Sequence, residues 1–190
     1  MLDLPAQRLY AAPDLEKENE ENREIMITMR ICGLANLHEQ KAFRPKELVT
    51  VLSPDSMPDD LRPRWIKPAC HHVFPFDDVE MASHPGAPTA THVAELIALG
   101  RRIAAPGAAT RILIHCAAGV SRSTAAGFIF ACIQRGPGDE VAALSQTVDS
   151  SVSDFVSPNA LMVHYADGLL DRGGAMVRVV NEWKETNFWT

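Results

Sequence analysis

Cys116 follows His115 and opens the run Ala117–Ala118–Gly119–Val120–Ser121–Arg122–Ser123. A cysteine and an arginine with five residues between them, small ones and a glycine, can wrap a turn around an anion. A phosphate held there could receive backbone N–H groups from residues 117 to 122 and face the positive end of a helix beginning near Arg122. Gly119 can adopt turn geometry that is costly for larger residues, and Ala117 and Ala118 keep side chains out of the concavity. Arg122 can donate two parallel hydrogen bonds to phosphoryl oxygens, which lysine does less specifically. The same field favours a thiolate, since a cysteine pKa of about 8.5 falls to roughly 3.5–7.5 beside helix N-termini and cations. Ser123 can hydrogen-bond toward the sulfur, and His115 can orient the strand-to-loop turn. The expected chemistry is attack by the Cys116 sulfur on a phosphoester.

Such a turn needs a strand to deliver the thiol and a helix to receive the anion. RILIHC, ending at Cys116, reads as a short apolar strand, and Ser123 to Gln134 reads as a largely buried helix stopped at Gly136–Pro137. Upstream, Thr89 to about Ala105 spaces Val93, Leu96, Ile97 and Ile103 on one helical face, with Pro106–Gly107 as its stop. MITMRICGL and Leu48 to Leu52 read as strands, Asn36 to Phe43 as a short helix before Pro45, and Cys70 to Phe76 as extended. Asp139 to Val148 offers a further helix. A last one is signalled by Ser157, Pro158, Leu161, Tyr165 and Leu169, and stops near Gly173–Gly174. Strands alternating with helices predict an α/β domain, a mostly parallel central sheet flanked by helices, with ligands at the carboxyl ends of its strands.

The bulk numbers permit this. A chain of 190 residues, 46% apolar and 22% charged, suits one globular domain with appendages. Residues 1–25, with the acidic run Glu16 to Glu24, read as a peripheral extension; 26–175 as the domain; and 176–190, with Trp183, Phe188 and Trp189, as an aromatic tail able to dock on it. A net charge of -6 disfavours nonspecific nucleic-acid binding. The longest apolar run, Ala125 to Ile133, is too short to span a bilayer, and no signal-peptide pattern opens the chain, so the expectation is a cytoplasmic protein with no membrane anchor. Cys32 and Cys132 read as core thiols, and Cys70–His71–His72 as a strand edge rather than a metal site. No metal or organic cofactor is required.

The stretch from His115 to Ser123 resembles the HCxxGxSRS signature of the protein tyrosine phosphatase superfamily, and most nearly that of dual-specificity phosphatases. The resemblance implies a thiolate nucleophile at Cys116, phosphate binding by Ala117, Ala118, Gly119, Val120, Ser121 and Arg122, and assistance from Ser123. In that family the proton for the leaving group comes from an aspartate on an upstream loop. Val73–Phe74–Pro75–Phe76–Asp77–Asp78 is similar to that loop, which implies Asp78 as general acid and Asp77 as its variable neighbour. Ser157–Pro158–Asn159 is similar to the start of the family's last helix, which implies a supporting contact from Asn159 to the site.

Carried over, the family's activity is phosphomonoester hydrolysis through a phosphocysteine intermediate, on phosphotyrosine or other phosphoprotein residues, with small phosphoesters as further substrates. Related sites act on phosphoinositides or RNA 5′ phosphates. The absence of lysine among residues 117–121 argues against a multivalent headgroup, and no basic and aromatic track favours nucleic acid. A phosphate-binding adaptor with little turnover is a second class, against which Cys116, Arg122 and Asp78 stand together. Thiol redox chemistry is a third; the nearest extra thiol along the chain is Cys132.

Overall fold

The computed structural model describes residues 27–105 and 110–188. The acidic segment 1–25, Trp189 and the Pro106–Gly107 stop lie outside the described residues. Among the described residues four short runs form strands, β1 (Thr28–Gly33), β2 (Glu47–Leu52), β3 (His71–Pro75) and β4 (Arg111–Cys116), with β2 and β4 the ones rich in Ile, Leu and Val. All pair in parallel, in the order β1-β4-β2-β3, so β4 lies between β1 and β2.

Residues alternate between the two faces of a strand. One face of this sheet carries Met29, Ile31, Val49, Val51, Ile112 and Ile114, which share a core with the five α-helices found among the described residues. The helices are α1 (Ala90–Ile103), α2 (Arg122–Arg135), α3 (Glu140–Asp149), α4 (Ala160–Leu169) and α5 (Ala175–Phe188). The other face carries Cys32, Leu48 and Leu113, covered by Leu37 and Ile66 from the irregular segments. The segment expected as one short helix over Asn36 to Phe43 is two 3-10 turns, Leu34–Asn36 and His38–Phe43.

α2 is buried on every side from Arg122 to Cys132, as its uninterrupted small and apolar residues require. α1 starts at a reciprocal cap, in which Thr89 Oγ1 accepts the His92 N–H and His92 Nδ1 accepts the Thr89 N–H. In α5, Met176 and Val180 are buried in the main core, and Trp183 Nε1 donates to the Val156 carbonyl at 2.8 Å. Among the described residues no helix is long and apolar enough to cross a membrane.

Candidate active site

β4 ends at Cys116 and α2 begins at Arg122, so the connecting loop sits at the carboxyl edge of the sheet, beside the last residue of β1. Its carbonyls are tied to neighbours. That of Ala117 accepts the Leu34 N–H at 3.0 Å, that of Val120 the Ser157 N–H at 3.0 Å, and that of Ser121 the Asn159 N–H at 3.3 Å. The single Thr124 Oγ1–H is shared between the carbonyls of Val120 and Ser121, at 2.5 and 2.8 Å. In a trans peptide the N–H points opposite to the C=O. Tying these carbonyls outward therefore turns the amides of Ala118, Ser121 and Arg122 to the inner side of the loop.

Gly119 lies at φ +81°, and its own N–H donates to Cys116 Sγ at 3.2 Å. A Cβ there would stand 2.5 Å from the backbone nitrogen of Gly33, so glycine is required both by dihedral and by space. Gly33 is the reciprocal case, since a Cβ on it would lie 2.9 Å from the Ala118 carbonyl oxygen. The sequence reading passed over Gly33; its only signal was a glycine closing an apolar strand. Two glycines let the loop and the end of β1 touch backbone to backbone.

The sulfur is almost fully buried, with Ser123 Oγ 3.1 Å away and the Gly119 amide on it. Both groups can donate to a thiolate. Cys32 and Cys132 differ in kind, for burial pushes each thiol up to about 12, with the nearby Cys116 adding to the effect at Cys32. They stay protonated at neutral pH. Cys132 also lies ten residues along α2 from Arg122, about 15 Å at 1.5 Å per residue, and is packed in the main core.

His115 faces the side of the sheet opposite to the helical core. Its Nε2 is 2.7 Å from Thr50 Oγ1, which is itself 2.9 Å from His71 Nε2, while His115 Nδ1 lies 3.4 Å from the Cys116 carbonyl. Burial lowers the His115 pKa to about 4, and His71 is lowered too, first by burial and then by Arg62. His115 is thus neutral at pH 7. The carbonyl can only accept, so Nδ1 carries the proton and Nε2 accepts from the Thr50 hydroxyl; Thr50 in turn accepts from His71 Nε2–H. The chain of donors runs one way, toward the peptide of Cys116. His72 instead binds Glu47 at 2.8 Å.

Arg122 is buried, with Nη1 donating to the Phe76 carbonyl at 2.6 Å and to Ser53 Oγ at 3.2 Å. Its Nε lies 3.6 Å from Asp78 Oδ2 and has no hydrogen-bond partner among the described residues. Ser53, at the end of β2, carries no sequence motif and is found only through space. Asp78 Oδ1 accepts from Ser121 Oγ at 2.5 Å and from Asn159 Nδ2 at 3.0 Å. The structure therefore brings Cys116, Arg122, Ser121, Ser123, Asp78 and Asn159 into one connected cluster. Asp77 does not join it: its N–H donates to the Gly86 carbonyl at 2.7 Å and its carboxylate packs on the Gly86 backbone.

The Ser157–Pro158 start expected for α4 is displaced. Asn159 is the cap, its Oδ1 accepting the Met162 N–H at 3.1 Å while its Nδ2 serves Asp78 and the Val79 carbonyl. An asparagine carries both an acceptor and two donors, which serine and proline cannot match.

No protein-family model matches the chain, and no curated protein matches it in sequence. Solved structures do. The chain is similar to the PTP-2 phosphatase of Cydia pomonella, at 19% identity over 76% of this chain and 87% of that one, with a TM-score of 0.56. Human DUSP28 matches at 16% identity over 77% and 96%, TM-score 0.55. The human tyrosine phosphatase-like serine/threonine/tyrosine-interacting protein matches at 15% over 77% and 93%, TM-score 0.55. The parallel sheet with its helices is therefore the fold that these phosphatase and phosphatase-like proteins share. At such identities the likeness is one of fold, and the chemistry has to be argued from the side chains.

Proposed function

We propose that the protein is a cysteine-dependent phosphatase that hydrolyses phosphomonoesters through a phosphocysteine intermediate, with phosphotyrosine or other phosphoprotein residues as substrates. The observation that carries this reading is the convergence on one loop of a buried sulfur with two donors, inward-turned amides, and a buried arginine 3.6 Å from an aspartate.

In the first step the Cys116 thiolate attacks phosphorus, an S–P bond forms, and the P–O bond to the leaving group breaks. The departing oxygen takes its electron pair and the proton of the Asp78 carboxyl. The loop amides and Arg122 Nε hold the nonbridging oxygens, whose charge is stabilised by donors fixed before the reaction. In the second step Asp78, now a carboxylate, removes a proton from water as its oxygen attacks phosphorus. The S–P bond breaks, Ser123 Oγ donates to the sulfur as it leaves, and inorganic phosphate is released. One water is consumed and no redox equivalent enters.

The roles of Asn159 and Ser121 follow from their bonds to Asp78: they aim the carboxyl. His115 and Thr50 fix the peptide that carries the thiol. Phosphopeptide is favoured over a multivalent headgroup because residues 117–121 supply no lysine beyond the single Arg122 cation.

The test is Cys116→Ser assayed with an aryl phosphate and with phosphotyrosine, phosphoserine and phosphoinositide substrates. Turnover is expected to vanish while inorganic phosphate still protects the fold against heat, and phosphotyrosine peptide is expected to be the best substrate of the wild type. Retained turnover in the variant would remove the thiol from the mechanism. A preference for the lipid headgroup would move the substrate class.

A further inference from the structure

Asp78 heads a loop that leaves the edge strand β3, and its side chain is 35% exposed. Two residues on, Glu80 turns back toward the domain. Its Oε1 accepts the backbone N–H of Ala160, the first residue of α4, at 2.7 Å, and lies 3.2 Å from Lys184 Nζ on α5. An anionic oxygen is favoured at that place by the unpaired N–H groups and the dipole of the helix start. The neighbouring Trp183 binds the Val156 carbonyl, in the segment that leads into Asn159. Two consecutive residues of α5 thus fasten the two segments that aim Asp78. Lys184 reaches the acid loop through Glu80, and Trp183 holds the stretch carrying Asn159, whose Nδ2 reaches Asp78 and the Val79 carbonyl.

We propose that Glu80 is a positioning residue for Asp78, and that the C-terminal helix, through Lys184 and Trp183, holds the acid in register with the phosphate loop. The inference rests on the reading of Asp78 as general acid. Glu80 touches neither sulfur nor phosphate. Its loss acts on the proton transfers made by Asp78, of which kcat/KM reports only the one to the leaving group, whereas an ion pair that merely stabilised the fold would affect every substrate alike.

The experiment uses the full chain as wild type, Glu80→Ala, Lys184→Met, Lys184→Arg and Asp78→Asn, alone and combined with Asp78→Asn. The kcat/KM values, which report the steps up to S–P bond formation, are compared on phenyl phosphate, a poor leaving group, and on 2,4-dinitrophenyl phosphate, which departs without a proton. Inhibition by inorganic phosphate and amide exchange at residues 78–80 and at Ala160 are measured alongside. Glu80→Ala is expected to slow phenyl phosphate by about tenfold, within the hundredfold that misplacing a reacting group by about 1 Å can cause. Lys184→Met should slow it about two- to fivefold, the range of an exposed ion pair, and Lys184→Arg should restore it. The kcat/KM for dinitrophenyl phosphate and phosphate inhibition stay unchanged, the Asp78→Asn background abolishes both effects, and exchange at Ala160 and 78–80 speeds up. Equal losses on the two substrates, or unchanged exchange in Glu80→Ala, would overturn the proposal. If Asp78→Asn itself has no leaving-group dependence, the general-acid assignment fails, and exchange alone decides whether Glu80 and α5 hold the loop. Should Glu80→Ala not fold, Lys184→Met carries the same comparison.

Discussion

The phosphate loop and the acid loop meet at Arg122 and are held in opposite ways. Residues 116–122 run directly from β4 into α2, and the carbonyls of Ala117, Val120 and Ser121 are bound by the Leu34, Ser157 and Asn159 amides and by Thr124. The Gly33–Gly119 contact adds a backbone-to-backbone stop. The acid loop leaves the sheet at buried Phe76 and is exposed from Asp78 to Pro85, apart from half-buried Val79. Its fastenings are the side chains of Ser121, Asn159 and Glu80, reaching helices far away in sequence. On the proposed mechanism, anion binding is therefore fixed by the chain path, whereas proton delivery depends on contacts that single substitutions can loosen.

Asp78→Asn separates the two most sharply. Turnover of an aryl phosphate with a poor leaving group should fall by about 10²–10⁴, the usual contribution of a general acid. Protection of Cys116 from alkylation by phosphate should stay as in the wild type. A parallel loss of protection would mean that the two loops are one unit and the contrast is false.

Gly119→Ala attacks the other side. Its φ of +81° and the 2.5 Å approach to the Gly33 nitrogen leave no soft group to move. Urea unfolding should register about 3 kcal/mol of lost stability, from dihedral strain and overlap together. Phosphate protection should disappear with it.

The floor of the phosphate loop has its own pH signature. His115 titrates near 4 in the fold because it is buried, against about 6.5 when unfolded. Between those values the unfolded chain binds more protons, so stability falls as pH drops from 6.5 toward 4, by up to about 3 kcal/mol. Replacing His115 by Gln should flatten that part of the curve, measured by urea midpoints across the range. The smallest effect is expected at Gly86→Ala in the acid loop. There an added Cβ meets only the Asp77 carboxylate, a flexible end that can swing away, so the change should stay within about 1 kcal/mol.

The same contrast decides what could be read before the fold was known. The run from His115 to Ser123 is contiguous, and its strand, turn and helix are each announced by composition, so β4 and α2 fall within a residue of expectation. The acid loop was legible only as a short pattern around Asp78, and its supports were not. Glu80 and Lys184 look like ordinary surface charges in sequence, and Ser53 like a strand-end serine. Their significance is created by the sheet order, which brings distant chain segments together. The start of α4 was misplaced for a related reason: Ser157–Pro158 is a good local signal, but Asn159 satisfies both the helix and Asp78, a joint demand that local propensity does not contain. The Thr50 link between His71 and His115 was hidden likewise, since three residues on three strands share a face only once the register is set.

The interleaved strand order also governs when during synthesis a working site can exist. β1 and β2 do not pair with each other; each pairs with β4, which emerges from the ribosome last of the four strands and carries the thiol at its tip. Until residues 111–116 insert, the N-terminal half is two unjoined pieces. A chain that ends before β4 therefore lacks the strand that joins the sheet and, with it, the thiol of the proposed mechanism.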